Sequence, residues 1–164
     1  MSISEKKILS FPSNTKHLPL IEPFLAEVLA PFEMDATRYH NTMIALTEAV
    51  NNAIIHGNKR DESKVVILTA FVEVPDADEP STAAQDNHRS IQASSAASNA
   101  TLTIILDDFG SGFNPEALPD PLAPENLLRS GGRGVFLMRS LMDSAEFTRT
   151  ESGTRTTLRI RLQE

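Results

Sequence analysis

An α/β domain is what the sequence predicts, and three observations carry the expectation. Two β-rich apolar runs, "KVVILTAFVEV" (64–74) and "ATLTIILDDFG" (100–110), read as strands. Two segments repeat apolar residues at helical spacing, one around Leu18 to Leu29 and one from Asp35 to His56. The C-terminal stretches "AEFTRT" and "TRTTLRIRL", split by Ser152-Gly153, read as a hairpin.

In chain order, "KKILSFP" is a short strand ended by Pro12. Ser13 or Asn14 caps the next helix, whose apolar residues Leu18, Ile21, Leu25, Val28 and Leu29 share a face and which ends near Pro31. Asp35 is the N-cap of a helix running to His56, with Gly57 as its stop. The strands at 64–74 and 100–110 are antiparallel neighbours. Residues 75–99 between them are Ser/Ala/Asp-rich and nearly free of large apolar side chains, which predicts a flexible insertion. Residues 114–130, rich in Pro and Leu, predict a mobile loop with one short helical turn. "GVFLMRSLMD" follows as a helix with Val135, Met138, Leu141 and Met142 on one face.

Composition limits the function classes. The length of 164 residues fits a single domain, 1–164, able to bury a core without staples. The absence of cysteine removes disulfides and thiolate metal sites and favours a reducing, cytoplasmic setting. A net charge of -7 argues against a general nucleic-acid binder, which needs a basic face to displace counterions. No apolar run approaches the roughly 18 residues of a membrane span.

The second helix contains "LTEAVNNAIIHGN", an unusual composition for a helix interior. Met43, Leu46, Val50, Ala53 and Ile54 form its core stripe, while Glu48 and Asn52, four apart, are neighbours on the other side beside Asn51 and His56. Asn is a poor interior helix residue because its amide competes for backbone groups. By itself this face fits a solvated surface as well as a site. "DDFGSGF" follows a strand: glycines two apart let a ligand approach the backbone, and a strand-end carboxylate can accept from an amine, although such turns are common. "SGGRGVFLM" sets three glycines and Arg133 before a helix, either an anion site or an ordinary glycine-rich loop. It matches neither the phosphate-loop pattern nor the dinucleotide pattern. Gly153-Thr154 alone is a turn.

Together, "EAVNNAIIHGN", "DDFGSGF", "SGGRGVFLMRSLMD" and "SGTRTTLRIRL" resemble, in order, the N box and the three glycine boxes of the GHKL ATPase superfamily. More narrowly the chain resembles the anti-sigma-factor serine/threonine kinases of bacterial partner-switching systems. The resemblance implies the Bergerat ATP-binding fold, a two-layer α+β sandwich with a mixed β-sheet and helices on one face. It makes Glu48 the general base, Asn52 the Mg²⁺ ligand, Asp108 the acceptor of the adenine amino group and Thr154 a support for the same ring. Gly110 and Gly112 would shape a hinge near the adenine; Gly132, Arg133 and Gly134 would wrap the triphosphate beneath an ATP lid at 114–130. ATP and Mg²⁺ are the implied cofactors. The implied partners are an anti-anti-sigma antagonist protein, a sigma factor and a second copy of the chain in a homodimer, with no direct nucleic acid and no membrane. The insertion at 75–99 departs from the compact family pattern. His56 is assigned a structural role near the metal ligand rather than that of a phosphorylated histidine. Two other readings stand beside the kinase: a nucleotide-dependent binding switch without catalysis, and an ATP domain serving a histidine-kinase-type system.

Overall fold

The computed structural model describes residues 2–75, 99–111 and 133–163. Among them, six strands form one sheet: β1 Ser2–Ile3, β2 Lys7–Pro12, β3 Val65–Val74, β4 Thr101–Asp108, β5 Ser144–Arg149 and β6 Thr154–Arg161. Their order is β1-β3-β4-β6-β5, with β2 also paired to β3. Every described pairing is antiparallel, so no mixture of strand directions is seen among the described residues. The expected neighbours at 64–74 and 100–110 are β3 and β4, and the expected C-terminal hairpin is β5 and β6.

Strand alternation decides which residues face the helices. Val66, Leu68, Ala70 and Val72 of β3, Leu102, Ile104 and Leu106 of β4, and Leu158 and Ile160 of β6 are all buried. The register lines them up in rows across the sheet, Leu68 opposite Leu106 and Ile104 opposite Leu158. The same alternation carries past Leu106 to Asp108, which sits opposite Thr154. A carboxylate is thereby delivered to the helix-facing side at the point where the apolar rows end.

Asn14 caps the first helical segment, its side chain accepting from the Lys16 N–H at 2.9 Å. The segment begins as a 3-10 turn, Thr15–Leu20, before becoming α1, Ile21–Leu29. Pro19, which has no N–H to give, lies inside that turn. Asp35 caps α2, Ala36–Asn52, its Oδ1 accepting from Thr37 and Arg38 N–H at 2.9 and 3.1 Å. Beyond Asn52 the path widens into one π turn, Ala53–Gly57, so the expected stop at Gly57 holds but the last turn is not α. Lys59 and Arg60, with φ of 55° and 60°, then reverse the chain toward β3. The next α-helix among the described residues, α3, spans Arg133–Leu141.

The helices and the sheet's inner face share one core. Ile21, Phe24, Leu25, Val28 and Leu29 face it from α1. From α2 the buried set is Thr42, Ala45, Leu46, Ala49 and Val50, broader than the predicted stripe, whereas Met43 is only partly buried. Ala45 and Ala49 are buried on α2, which packs against α3. Near the start of α2, Arg38 bonds Asp143 just beyond α3, and Asp143 accepts the Arg161 N–H of β6 at 2.7 Å. The expected loop at 114–130 and, apart from Pro75 and Asn99, the expected insertion lie outside the described residues.

Candidate functional site

Two clusters stand at the carboxyl end of α2. In the first, Glu48 and Asn52 lie one helical turn apart, and the start of α3 closes on both. A Cβ placed on Gly134 would sit 2.9 Å from Glu48 Oε2 and 3.1 and 3.4 Å from Asn52 Nδ2 and Oδ1. A Cβ there would press on the ends of both side chains, and glycine removes that obstacle. The polar face of α2 is therefore one wall of a seam, which removes the reading of a merely solvated surface. Arg133 opens α3 and is exposed, at a helix end where N–H groups carry partial positive charge.

The second cluster is built on the last β4–β6 pair. Asp108 is 4% exposed, and its Oδ1 accepts from the N–H groups of Gly110 at 3.0 Å and Thr154 at 3.2 Å. The Thr154 hydroxyl is buried and has no hydrogen-bond partner among the described residues. Such an atom costs about 1–3 kcal/mol, a cost that a bound ligand or water would relieve. Burial pushes the Asp108 carboxyl above its ordinary value of 3.8, and the two N–H donors offset only part of that push.

The raised value has a sign that can be tested. Well below the ordinary carboxylate range Asp108 is protonated in both folded and unfolded chains, so it brings no penalty. As pH rises through the native pKa, the folded chain must ionise a buried group and loses stability. Asp108→Asn is expected to raise the thermal midpoint near about pH 8, with the gain fading toward about pH 4. Thermal melts across that range check it; a gain that grows on acidification contradicts it.

Between the clusters runs the π turn. It ends with Gly57 against the Asp108 carboxylate, where a Cβ would lie 2.5 Å from Cγ and Oδ2. Asn58 follows, 1% exposed, and bonds the Phe109 N–H across 51 residues of sequence. Gly57 reads in the sequence as a helix stop, and Asn58 closes the "EAVNNAIIHGN" motif with no role assigned to it. His56 is exposed on the π turn. Gly112 and Gly132 lie outside the described residues. The structure thus brings Glu48, Asn52, Arg133 and Gly134 together at one end, and Asp108, Gly110 and Thr154 at the other.

The sequence profile described as a histidine kinase-like ATPase domain matches residues 11–161. The chain belongs to this family. Among relatives of this histidine kinase-like ATPase domain, the anti-sigma F factor of Clostridium perfringens is 33% identical over 158 residues, covering 93% of this chain and 94% of the relative. The serine-protein kinase RsbW of Staphylococcus epidermidis is 26% identical over 141 residues, covering 82% and 74%. The fold matches a crystal structure of the RsbU and RsbW domains of Rv1364c from Mycobacterium tuberculosis with a TM-score of 0.57 at 17% identity. That match takes in 97% of the present ATPase domain and 33% of the solved chain, so the domain spans about a third of that protein.

The residues present fit a nucleotide with a divalent cation. The space a Gly134 Cβ would fill adjoins the Asn52 amide and the Glu48 carboxylate. Among the described residues no group of three or more His, Cys, Asp or Glu stands ready to cage an ion. A cation there would rely on one protein oxygen with phosphate and water oxygens, the arrangement that suits Mg²⁺.

Proposed function

We propose that the chain is an ATP-dependent serine/threonine protein kinase that doubles as an anti-sigma factor, phosphorylating a small anti-anti-sigma antagonist and binding a sigma factor in an alternative complex. The observation that carries the proposal is the closure of Gly134 on Glu48 and Asn52 at one end of the π turn, with the Asp108–Thr154 pair at the other. The names of the relatives, a serine-protein kinase and an anti-sigma factor, support the same reading.

Each residue has a role by its chemistry. The ionised Asp108 accepts from the adenine amino group, and the unpartnered Thr154 hydroxyl supplies a further polar contact to the ring or to a water beside it. Gly110 lets the chain turn close to the base. Arg133 and the N–H groups opening α3 face the phosphates, with Gly112 and Gly132 assigned to the same glycine boxes. The Asn52 amide oxygen, hard and neutral, would hold Mg²⁺, which when bound neutralises charge on the β- and γ-phosphate oxygens. Glu48, one turn back, takes the proton from the attacking Ser or Thr hydroxyl as its oxygen bonds to the γ-phosphorus and the bond to ADP breaks.

A cytoplasmic homodimer is part of this reading. Among the described residues no helix is long and apolar enough to cross a membrane. Ile3 and Ile8, 54% and 68% exposed near the sheet edge, offer apolar surface for a second copy.

Asn52→Ala replaces the amide with a methyl and is expected to lose Mg²⁺-dependent ATP binding. The expected fall is at least about tenfold at saturating Mg²⁺, with little change without the metal. Isothermal titration with and without Mg²⁺ reads it, and unchanged affinity in excess metal removes Asn52 from the metal site.

A further inference from the structure

Asn58 is joined to three separate pieces of chain. Its Nδ2 donates to Ser13 Oγ at 2.7 Å and to the Val65 carbonyl at 2.8 Å, while its Oδ1 accepts the Phe109 N–H at 2.7 Å. The partners fix which amide atom is which. The Ser13 hydroxyl already donates to the Lys64 carbonyl at 2.9 Å and so must accept from Asn58, whereas the Phe109 N–H demands an oxygen. No other side chain of similar size offers one acceptor and two donors in this arrangement.

Phe109 is the residue after Asp108, and Gly110, the next along, donates to the Asp108 carboxylate. Gly57, the residue before Asn58, rests against that carboxylate and against Gly110. The pair Gly57-Asn58 therefore meets the turn after β4 at two points, Gly57 at Asp108 and Gly110 and Asn58 at the Phe109 N–H. We propose that Asn58 is a positioning residue for base selection: by holding the Phe109 N–H it fixes the Asp108 carboxylate at the angle that selects a purine bearing an exocyclic amino group. The proposal rests on the reading of Asp108 as the base acceptor.

The test compares ATP with purine riboside triphosphate, which lacks only the exocyclic amino group, by titration calorimetry on the full chain. Wild type is expected to prefer ATP by roughly 10- to 100-fold, the range of a hydrogen bond to a charged group. Asp108→Asn is expected to bring that ratio to about one. If instead it keeps the wild-type ratio, the reading of Asp108 fails and the role of Asn58 falls with it. Asn58→Ala is expected to collapse the ratio while changing affinity for the desamino analogue by less than about threefold. Ser13→Ala removes one Nδ2 partner but leaves the Phe109 bond; it is expected to lower stability and keep the ratio. If Asn58→Ala keeps the wild-type ratio while Asp108→Asn loses it, Asn58 is structural only and the proposal is overturned. Should Asn58→Ala not fold, hydrogen exchange in nucleotide-free wild type decides. The Phe109 amide is expected to be protected as strongly as the β4 amides, and exchange at the unfolded-chain rate overturns the proposal.

Discussion

Glu48→Gln is expected to bind Mg²⁺ and ATP as the wild type does and to transfer phosphate about 10²–10⁴-fold more slowly, the usual contribution of a general base. The amide preserves size and hydrogen bonding beside Gly134 and removes only the capacity to take a proton. That geometry separates the roles of the two α2 side chains, since Asn52 contributes an oxygen that needs no proton and Glu48 contributes one that does. The experiment mixes each protein with its co-purifying antagonist and labelled ATP and follows phospho-Ser or phospho-Thr. Equal rates for both proteins remove Glu48 as the base. A wild type that holds nucleotide and partner tightly and labels neither Ser nor Thr replaces the kinase with a nucleotide-dependent binding switch.

Gly110→Ala is expected to be the most damaging single methyl in the described structure. A Cβ at that position would run into the Gly57 carbonyl, with the Gly57 Cα only 2.9 Å away. Side-chain ends can swing aside, but this obstacle is backbone, and it belongs to the π turn that braces Asp108 and leads into Asn58. Relief would require moving the turn after β4 away from the turn after α2, breaking the bond between Phe109 and Asn58. Overpacking typically costs about 1–3 kcal/mol, and an unyielding neighbour places this change at or above about 3 kcal/mol. ATP affinity is expected to fall by more than about 100-fold. Urea denaturation and nucleotide titration measure the two losses; wild-type values for both would show that the turns separate freely.

What could be read from the sequence was what local chemistry decides. Asn14 and Asp35 cap helices because a short polar side chain before an apolar periodic run satisfies N–H groups within three residues, whatever the rest of the chain does. The strands from Val65 and Thr101 were legible because β-branched residues concentrate there. The burial of Ala45 and Ala49 was not legible, since it widens the buried face of α2 beyond the stripe that helical spacing marks. The π turn escaped for a similar reason: Ala53 and Ile54 continue the apolar stripe of the helix, and the widened turn is seen only where Gly57 meets Asp108. Among the candidate site residues, Glu48, Asn52, Asp108, Gly110, Arg133, Gly134 and Thr154 were proposed from the order of four motifs, and the structure gathers them into two clusters. The bonds of Asn58 reach 45 and 51 residues along the chain to Ser13 and Phe109, and no local pattern records them.

The central place of β4, between β3 and β6, sets a timetable for the newly made chain. Asp108 leaves the ribosome 46 residues ahead of Thr154, whose N–H completes its hydrogen bonding. At about 5–20 residues per second, that gap lasts about 2–9 s. Throughout it, β4 can lie against β3 with its other edge open, displaying the unpaired row that later receives β6. The Asp108–Thr154 bond forms only when that last ladder zips. Synthesis is thus an interval in which a bare strand edge is open to wrong pairing, one that a chaperone covering the edge for a few seconds would close.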